Sequence, residues 1–504
     1  MMARPIPGDG AAKAEIVLLR PLLGPLLVTL ALAGLTGCAH KIAIEEPVPT
    51  IDMPSGWALS SKSGNQEWPD NDWWKRFGST ELTELVDLGQ KNNLEIAAAL
   101  SRVRQAETRS LIAGAPLLPS ADFAAGGARD LPIANTGSAN TSASSMLYIS
   151  YEIDFWGKNK ASLAVAQAAL KANSYDRQTV ALTVTSGIVS TYLQVLSLHD
   201  RLDSARENVT NAKRVLTLVE AQSNAGAASS LDLARQRSAL AGQQAALPSL
   251  MQQEREAQSS LGILLGQSPQ TFKVGNYGLS TIDLPDVTPG LPSELLSRRP
   301  DIRRTEAQLA GANANIAVAR AALFPSIRLT GATGAQSNAL LTLFNGPNLL
   351  ANVGASLAGP IFDAGRLKNQ RDLAIEQKHE LVQVYRATVI GALSEVDNVL
   401  GLIRSLDEQR RLKTREMEQA RFAFNLSEIR YKVGAEDLMT VLDTQRGLSD
   451  ARNELGLLKL RRLQATVALY KALGGGWEGH ASHLATPATI LPVTAPIATK
   501  ITAP

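Results

Sequence analysis

From Gly365 to Lys432 the chain runs about 68 residues without proline, and Val382, Tyr385, Val389, Ala392, Val396, Val399, Ile403 and Leu406 recur at steps of three and four. A single helix of that length would reach ~100 Å at 1.5 Å per residue. A repeat averaging 3.5 residues marks an apolar seam packed on other helices in a left-handed supercoil. Gly434 suits the left-handed position after a helix end. From Leu438 a return helix is predicted to at least Leu460, with Leu448, Ala451, Leu455 and Leu458 continuing the stripe.

The first half of the chain carries the same pattern. A proline-free run from Gly157 to Gln222 has Leu202, Ala205, Val209, Ala212, Leu216 and Val219 in helical steps. The turn 223–227 follows, then a return helix from Leu231 to Leu265 with a kink expected at Pro248. Ahead of each long helix the period switches to two. Leu147, Ile149, Tyr151, Ile153 and Phe155 alternate with Tyr148, Ser150, Glu152 and Asp154, which predicts strands with one apolar and one polar face. Four strands are expected, 119–129 and 145–156, then 325–334 and 349–362. Helices precede each pair, the first from Ser79 or Thr80 as cap, the second over Leu94–Gly114, and one over Ala310–Phe324. Pro119 matches Pro325 at an offset of 206, and Gly157, Gly226 and Leu240 match Gly365, Gly434 and Leu448 at 208. The chain is an internal duplication of helix, strand, strand, long helix, turn, helix.

Such a chain cannot finish its structure alone if its strands enter a membrane. Closed barrels need at least about eight strands, and an open sheet edge in lipid leaves backbone groups unpaired at several kcal/mol each. Three copies would supply twelve strands and a wall of twelve helical strands around a wide bore.

Composition narrows the field. A formal charge of +3, with 19% charged and 5% aromatic residues, gives no basic surface interleaved with aromatics, so no nucleic acid partner is expected. One Cys and five His exclude a disulfide framework within one chain. His480 and His483 form a chance pair in a terminal segment rather than a metal site, and no P-loop, GxSxG or HExxH motif occurs. No catalytic residue and no cofactor is expected. The lone Cys38 ends an apolar run from Leu22 to Leu35 preceded by Arg4, Lys13 and Arg20, which is signal-peptide length. The sequence Leu35-Thr36-Gly37-Cys38 resembles a bacterial lipobox, implying cleavage before Cys38, a covalent lipid there, and sorting to the outer membrane. More than one acyl chain makes such an anchor firm.

Larger motifs carry a second resemblance. Asp72-Trp73-Trp74 with Phe77-Gly78, the run from Leu291 to Arg303 containing Arg298-Arg299-Pro300-Asp301-Ile302-Arg303, Ala317 to Ser326, Phe362 to Arg366, and Leu442 to Arg446 follow one another over residues 72 to about 473. In that order the chain resembles TolC-type outer-membrane efflux channels of the lipoprotein, NodT-like branch. The resemblance implies a mixed fold, a homotrimeric 12-stranded outer-membrane β-barrel continuous with a 12-helix periplasmic α-barrel. It also implies an exit duct for an inner-membrane pump, of RND type, joined through a periplasmic adaptor. The alternative is a lipid-anchored periplasmic coiled-coil scaffold without a pore.

On this reading residues 1–37 are signal peptide, 38–80 a lipid-anchored tether and equatorial segment, and 81–265 the first repeat, with its hairpin at 157–265. Residues 266–300 are an equatorial linker, 301–473 the second repeat, with its hairpin over 363–472, and 474–504 a disordered tail. Carried over motif by motif, the resemblance places a periplasmic gate at Asp232, Tyr431, Met439, Asp443 and Arg446. The turns at Gly226 and Gly434, farthest from the membrane, become the adaptor contacts. Met439 stands where relatives often have an aliphatic residue, and Thr440 where some have Asp. Glu436 and Asp437 read as acids at a helix N-terminus.

Overall fold

A computed structural model describes residues 51–57, 70–130, 140–270 and 272–475. Cys38, His480, His483, most of the tether and the tail beyond 475 lie outside the described residues. The elements are α1 (Thr80–Asn92), α2 (Leu94–Gly114), β1 (Ser120–Asp130), β2 (Asn140–Ile153), α3 (Lys158–Asn224) and α4 (Ser230–Leu264). After a linker come α5 (Pro300–Ala321), β3 (Ser326–Ser337), β4 (Leu349–Ala358), α6 (Arg366–Lys432) and α7 (Leu438–Ala472).

The duplication holds to the residue. Helices α3 and α6 are 67 residues each, and α4 and α7 are 35 each. Glycines sit in the left-handed region at Gly157 and Gly365, at Gly226 and Gly434, and at Gly266 and Gly474. Each pair is 208 apart. Any side chain there meets its own backbone, so these positions stop or start a helix wherever the chain needs to reverse. Asp154 and Asp363 accept from the first free N–H groups of α3 and α6: Asn159 and Lys160 at 2.9 and 2.8 Å, Gly365 and Leu367 at 3.0 Å each.

Several boundaries differ from expectation. Strand β2 starts at Asn140, inside the stretch 131–144 expected to be loop, because Ala143 to Met146 pair with both neighbours. Strand β3 runs on to Ser337, and β4 ends at Ala358 rather than 362. Helix α5 begins ten residues earlier than Ala310, at Pro300, since proline at a first helical position gives up no bonded N–H.

The four strands form one antiparallel sheet in the order β1-β2-β3-β4. Register aligns Phe123, Leu147, Ile149, Leu329, Val353 and Leu357 on one face, with Glu152 opposite Arg328 on the other. Among the described residues only Leu343, over Ala143 and Ala335, covers one end of the apolar face; the rest is open, with Phe123 70% exposed and Val353 93%.

Among the helices α3 is central. It packs on α4, α7, α2 and α5, while α6 packs on α7 and α5. The hairpins therefore lie in the order α4-α3-α7-α6, with α4 and α6 at the edges. Helix α3 is apolar and long enough to cross a membrane by composition, but half of that apolar stretch is buried inside the fold. Its residues Ile188, Tyr192, Leu193 and Leu196 make the main core with Trp73, Phe77, Leu261 and Tyr470. Trp73 stacks on Tyr470 at 4.7 Å, pinning the N-terminal segment to the end of α7. The seam read from α6 is the second core, where Tyr385, Val389 and Val396 meet Ile302, Leu309 and Leu469.

Each return helix ends on a donor from the other side of its repeat. Asn93 caps α2, accepting from Glu95 and Ile96 N–H, and its Nδ2 donates to Leu264 O at 2.8 Å. At the matching place Arg299 Nη1 donates to Ala472 O at 2.7 Å and to Glu395 at 2.7 Å, and its other nitrogens grip Asp301. Burial pushes the Asp301 carboxyl up, yet the Arg299 guanidinium outweighs it and holds the group below the ordinary aspartate value.

Candidate functional site at the hairpin tips

The ends of the two hairpins are a small core of their own. Val215 and Val219 of α3, Phe424 and Tyr431 of α6, and Leu438, Val441 and Leu448 of α7 are buried together. Local capping builds each turn. In the first, Ser229 and Asp232 form a reciprocal box: Asp232 N donates to Ser229 Oγ at 3.1 Å, and Asp232 Oδ2 accepts from Ser229 N at 3.2 Å. In the second the acid sits at the cap, with Asp437 accepting from Thr440 N at 2.8 Å. That hydrogen bond leads the causes that hold the Asp437 carboxyl below its ordinary value. Thus Asp232, assigned by sequence to the gate, is engaged in shaping its own turn, and Glu436 pairs with Arg430 at 3.2 Å.

The structure ties the hairpins together near their ends. Tyr431 Oη donates to Gln222 Oε1 at 2.6 Å, and Arg214 reaches Glu428 at 3.1 Å, both joining α3 to α6. Burial, then the nearby Asp232 carboxylate, raises the Tyr431 phenol above its usual value, so it stays protonated and donating. Sequence reasoning missed Gln222, Arg214 and Glu428. Their polar residue types are common on any exposed helix, and only the side-chain bonds that reach from α6 to α3 at the tip single them out.

Asp443 and Arg446 do lie together. With Met439, Arg235, Gln243 and Leu442 they line an open cleft of about 420 Å³ between α4 and α7. Both are exposed, and among the described residues neither makes a hydrogen bond or ion pair. Met439 is 48% exposed beside them, and Gly226 and Gly434 occupy the two turns with open space around them. Arg235 is the residue missed here. It follows the α4 cap by six positions and faces α7 only because the helices cross as they do. The tip thus has two sides: a tied, buried one around Tyr431, and an open one that presents Asp443, Arg446, Arg235 and Met439 to whatever lies beyond the chain. Among the described residues no group of His, Cys, Asp and Glu is arranged to hold a metal.

Known proteins with this arrangement share one description. A family model for outer membrane efflux proteins matches residues 85–267 and 291–475. Pyoverdine export outer membrane protein OpmQ of Pseudomonas putida is 42% identical over 450 residues, covering 87% of this chain and 95% of its own. Cation efflux system protein CusC of Escherichia coli is 28% identical over 460 residues, covering 90% and 98%. Among solved structures, the Campylobacter jejuni CmeC outer membrane channel superposes with a TM-score of 0.78 at 26% identity, covering 86% of this chain and 94% of that one. The outer-membrane channel OprN superposes at 0.77, also with 26% identity, covering 86% and 99%.

Proposed function

This chain belongs to the outer membrane efflux protein family, and from that premise we propose that three copies pool their sheets and hairpins into one closed duct. As a family member it is an outer-membrane efflux channel, the exit duct of a tripartite pump, spanning that membrane and extending into the periplasm. The finer reading is a 12-stranded barrel continuous with a 12-helix tube. One observation carries it: among the described residues, a four-stranded sheet with unpaired edges and a largely uncovered apolar face, Val353 and Leu357 being 93% and 71% exposed. Water would penalise that face and lipid would penalise those edges, so only closure with other copies satisfies both. A pore-free scaffold has no use for such a sheet.

Within the duct, Cys38 carries the lipid, and the turns at Gly226 and Gly434 meet a periplasmic adaptor that links the tube to an inner-membrane pump of RND type. The protein works by passage rather than catalysis. Asp443 and Arg446 face the narrowing bore, where copies of the pair from neighbouring protomers meet and, with Met439, close it. Tyr431 and Asp232 hold the turns that carry them. Relatives named for pyoverdine, cation, antibiotic and solvent efflux each match 80% or more of this chain, so the cargo follows from the pump that is joined. The nearness of OpmQ favours pyoverdine, to be tested by restoring export in a Pseudomonas strain lacking its own OpmQ.

Planar-bilayer recording tests the gate. Asp443→Ala with Arg446→Ala should raise single-channel conductance several-fold at low salt, the pair acting by charge. Conductance equal to wild type would remove these residues from the gate, and absence of any conductance from the wild-type protein would overturn the duct itself.

A further inference from the structure

The duplication leaves one helix–helix contact unmade within the chain. Helix α5 lies between α3 and α6, packing on both, whereas its counterpart α2 packs on α3 alone among the long helices. The internal contact of α5 with α3 is antiparallel and well defined. Arg304 pairs with Asp176 at 3.2 Å, Gly311 approaches α3 so closely that a Cβ on it would stand 3.3 Å from Ala168 Cβ, and Phe324 stacks on Trp156 at 4.4 Å.

Shifting α5 back by 206 and α3 forward by 208 turns this contact into one between α2 and α6. Gly311 becomes Gln105, and Ala307 and Ala314 become Ser101 and Thr108. On the other side Ala164, Ala168 and Ala172 become Asp372, Glu376 and Glu380. Within the chain α2 and α6 are not brought together. The partner of α2 is therefore α6 of another copy.

The side chains have changed in a complementary way. On α2, Ser101, Arg104, Gln105, Thr108 and Arg109 form one exposed stripe around a shallow depression. The two arginines replace Ala310 and Asn315 of α5. On α6 a row of carboxylates at steps of four replaces the row of alanines. Among the described residues the Asp372 carboxylate bonds only the adjacent Arg371 and that of Glu376 only His379 at 3.3 Å, while the side chains of Arg104, Arg109 and Glu380 have no polar partner. Resting on the three-copy reading, we propose that α2 of one protomer seats on α6 of the next in this shifted register, with Arg104 and Arg109 meeting Asp372, Glu376 and Glu380. The physical reason for the exchange is exposure before assembly. The internal contact forms as the chain folds and is free to be small and apolar around Gly311 and Ala168, but the external one faces water until a second copy arrives. Charged faces keep the monomer soluble, steer the encounter and fix register, because like charges meet in a wrong one.

Charge reversal of the full-length protein in detergent tests this, with trimer fraction read by light scattering. Arg104→Glu with Arg109→Glu, or Glu376→Arg with Glu380→Arg, should each lower the trimer fraction about tenfold at 0.15 M salt and less at 1 M, and the combined variant should restore it. One-sided reversals that assemble as wild type, with helix content intact, overturn the proposal. Should a reversed chain fail to fold, Gln105→Cys with Glu376→Cys keeps the question open to decision. A short thiol cross-linker should join protomers into covalent trimers, since the matching internal positions are near disulfide spacing. A wild-type trimer that this pair cannot cross-link overturns the register alone, whereas a monomeric wild type overturns the three-copy reading instead.

Discussion

Asn93 and Arg299 occupy the same post in the two repeats and solve it differently. Each donates to the last carbonyl of a return helix, Leu264 or Ala472, and so fixes where a hairpin re-enters the body of the protein. Asn93 does so as a neutral cap, 4% exposed and with its oxygen also used on α2. Arg299 does so as a partly buried cation, its side chain 12% exposed, that must be matched by Asp301 and Glu395. The position of a helix end is a backbone requirement that either donor meets. The extra charges at the second joint make that joint costlier to break and sensitive to pH, and they engage α6 as well, which the first joint has no equivalent residue to do: Gly187 stands where Glu395 does.

Removing each donor should separate the two designs. Arg299→Ala leaves two carboxylates and a helix end without their partner, and should destabilise the detergent-solubilised protein by about 3–5 kcal/mol in denaturant unfolding. A loss no larger than that of Asn93→Ala would mean the charges contribute nothing beyond the shared hydrogen bond. Asn93→Ala should cost about 1–2 kcal/mol for the lost cap and hydrogen bond. Acid sharpens the contrast. Because the folded Asp301 carboxyl lies below its unfolded value, its contribution is fully present above about pH 4 and is lost as pH falls through the folded value. Asp301→Asn should therefore flatten the fall in stability below about pH 5, whereas Asn93→Ala should lower the whole curve in parallel. The smallest effect belongs to the tips. Tyr431→Phe removes the single bond to Gln222 and should cost about 0.5–1.5 kcal/mol, seen as faster amide exchange confined to the ends of α3 and α6.

Much of the fold was legible in the residues because its devices are local and repeated. The seam through Tyr385, Val389 and Val396 is buried as its spacing requires, and the glycines at 226 and 434 adopt the backbone that only glycine takes freely. Alternation through Leu147 and Ile149 carries across all four strands. The start of β2 was hidden because Ser, Asn and Thr around 140–145 resemble a loop. Pairing with β1 from Asn140 and with β3 from Ala143 makes them a strand. The start of α5 was hidden by Pro300, which reads as a break and acts as a first turn. At the tips, motif position singled out Tyr431, Asp443 and Arg446 for the gate, whereas Gln222 and Arg235, which the structure sets beside them, carry no local pattern.

Periodicity, capping residues and the two offsets settle the long helices, the reversals and the doubling, since all of these depend on neighbours within a few residues or on likeness between halves. Which groups meet was decided only in three dimensions. Asn93 finds its carbonyl 171 residues away, Arg299 finds its own 173 away, and Tyr431 finds Gln222 across 209. Partners at such separations leave no mark in local hydropathy. They are selected by how the helices pack side by side, which the whole seam sets rather than any one stretch of chain.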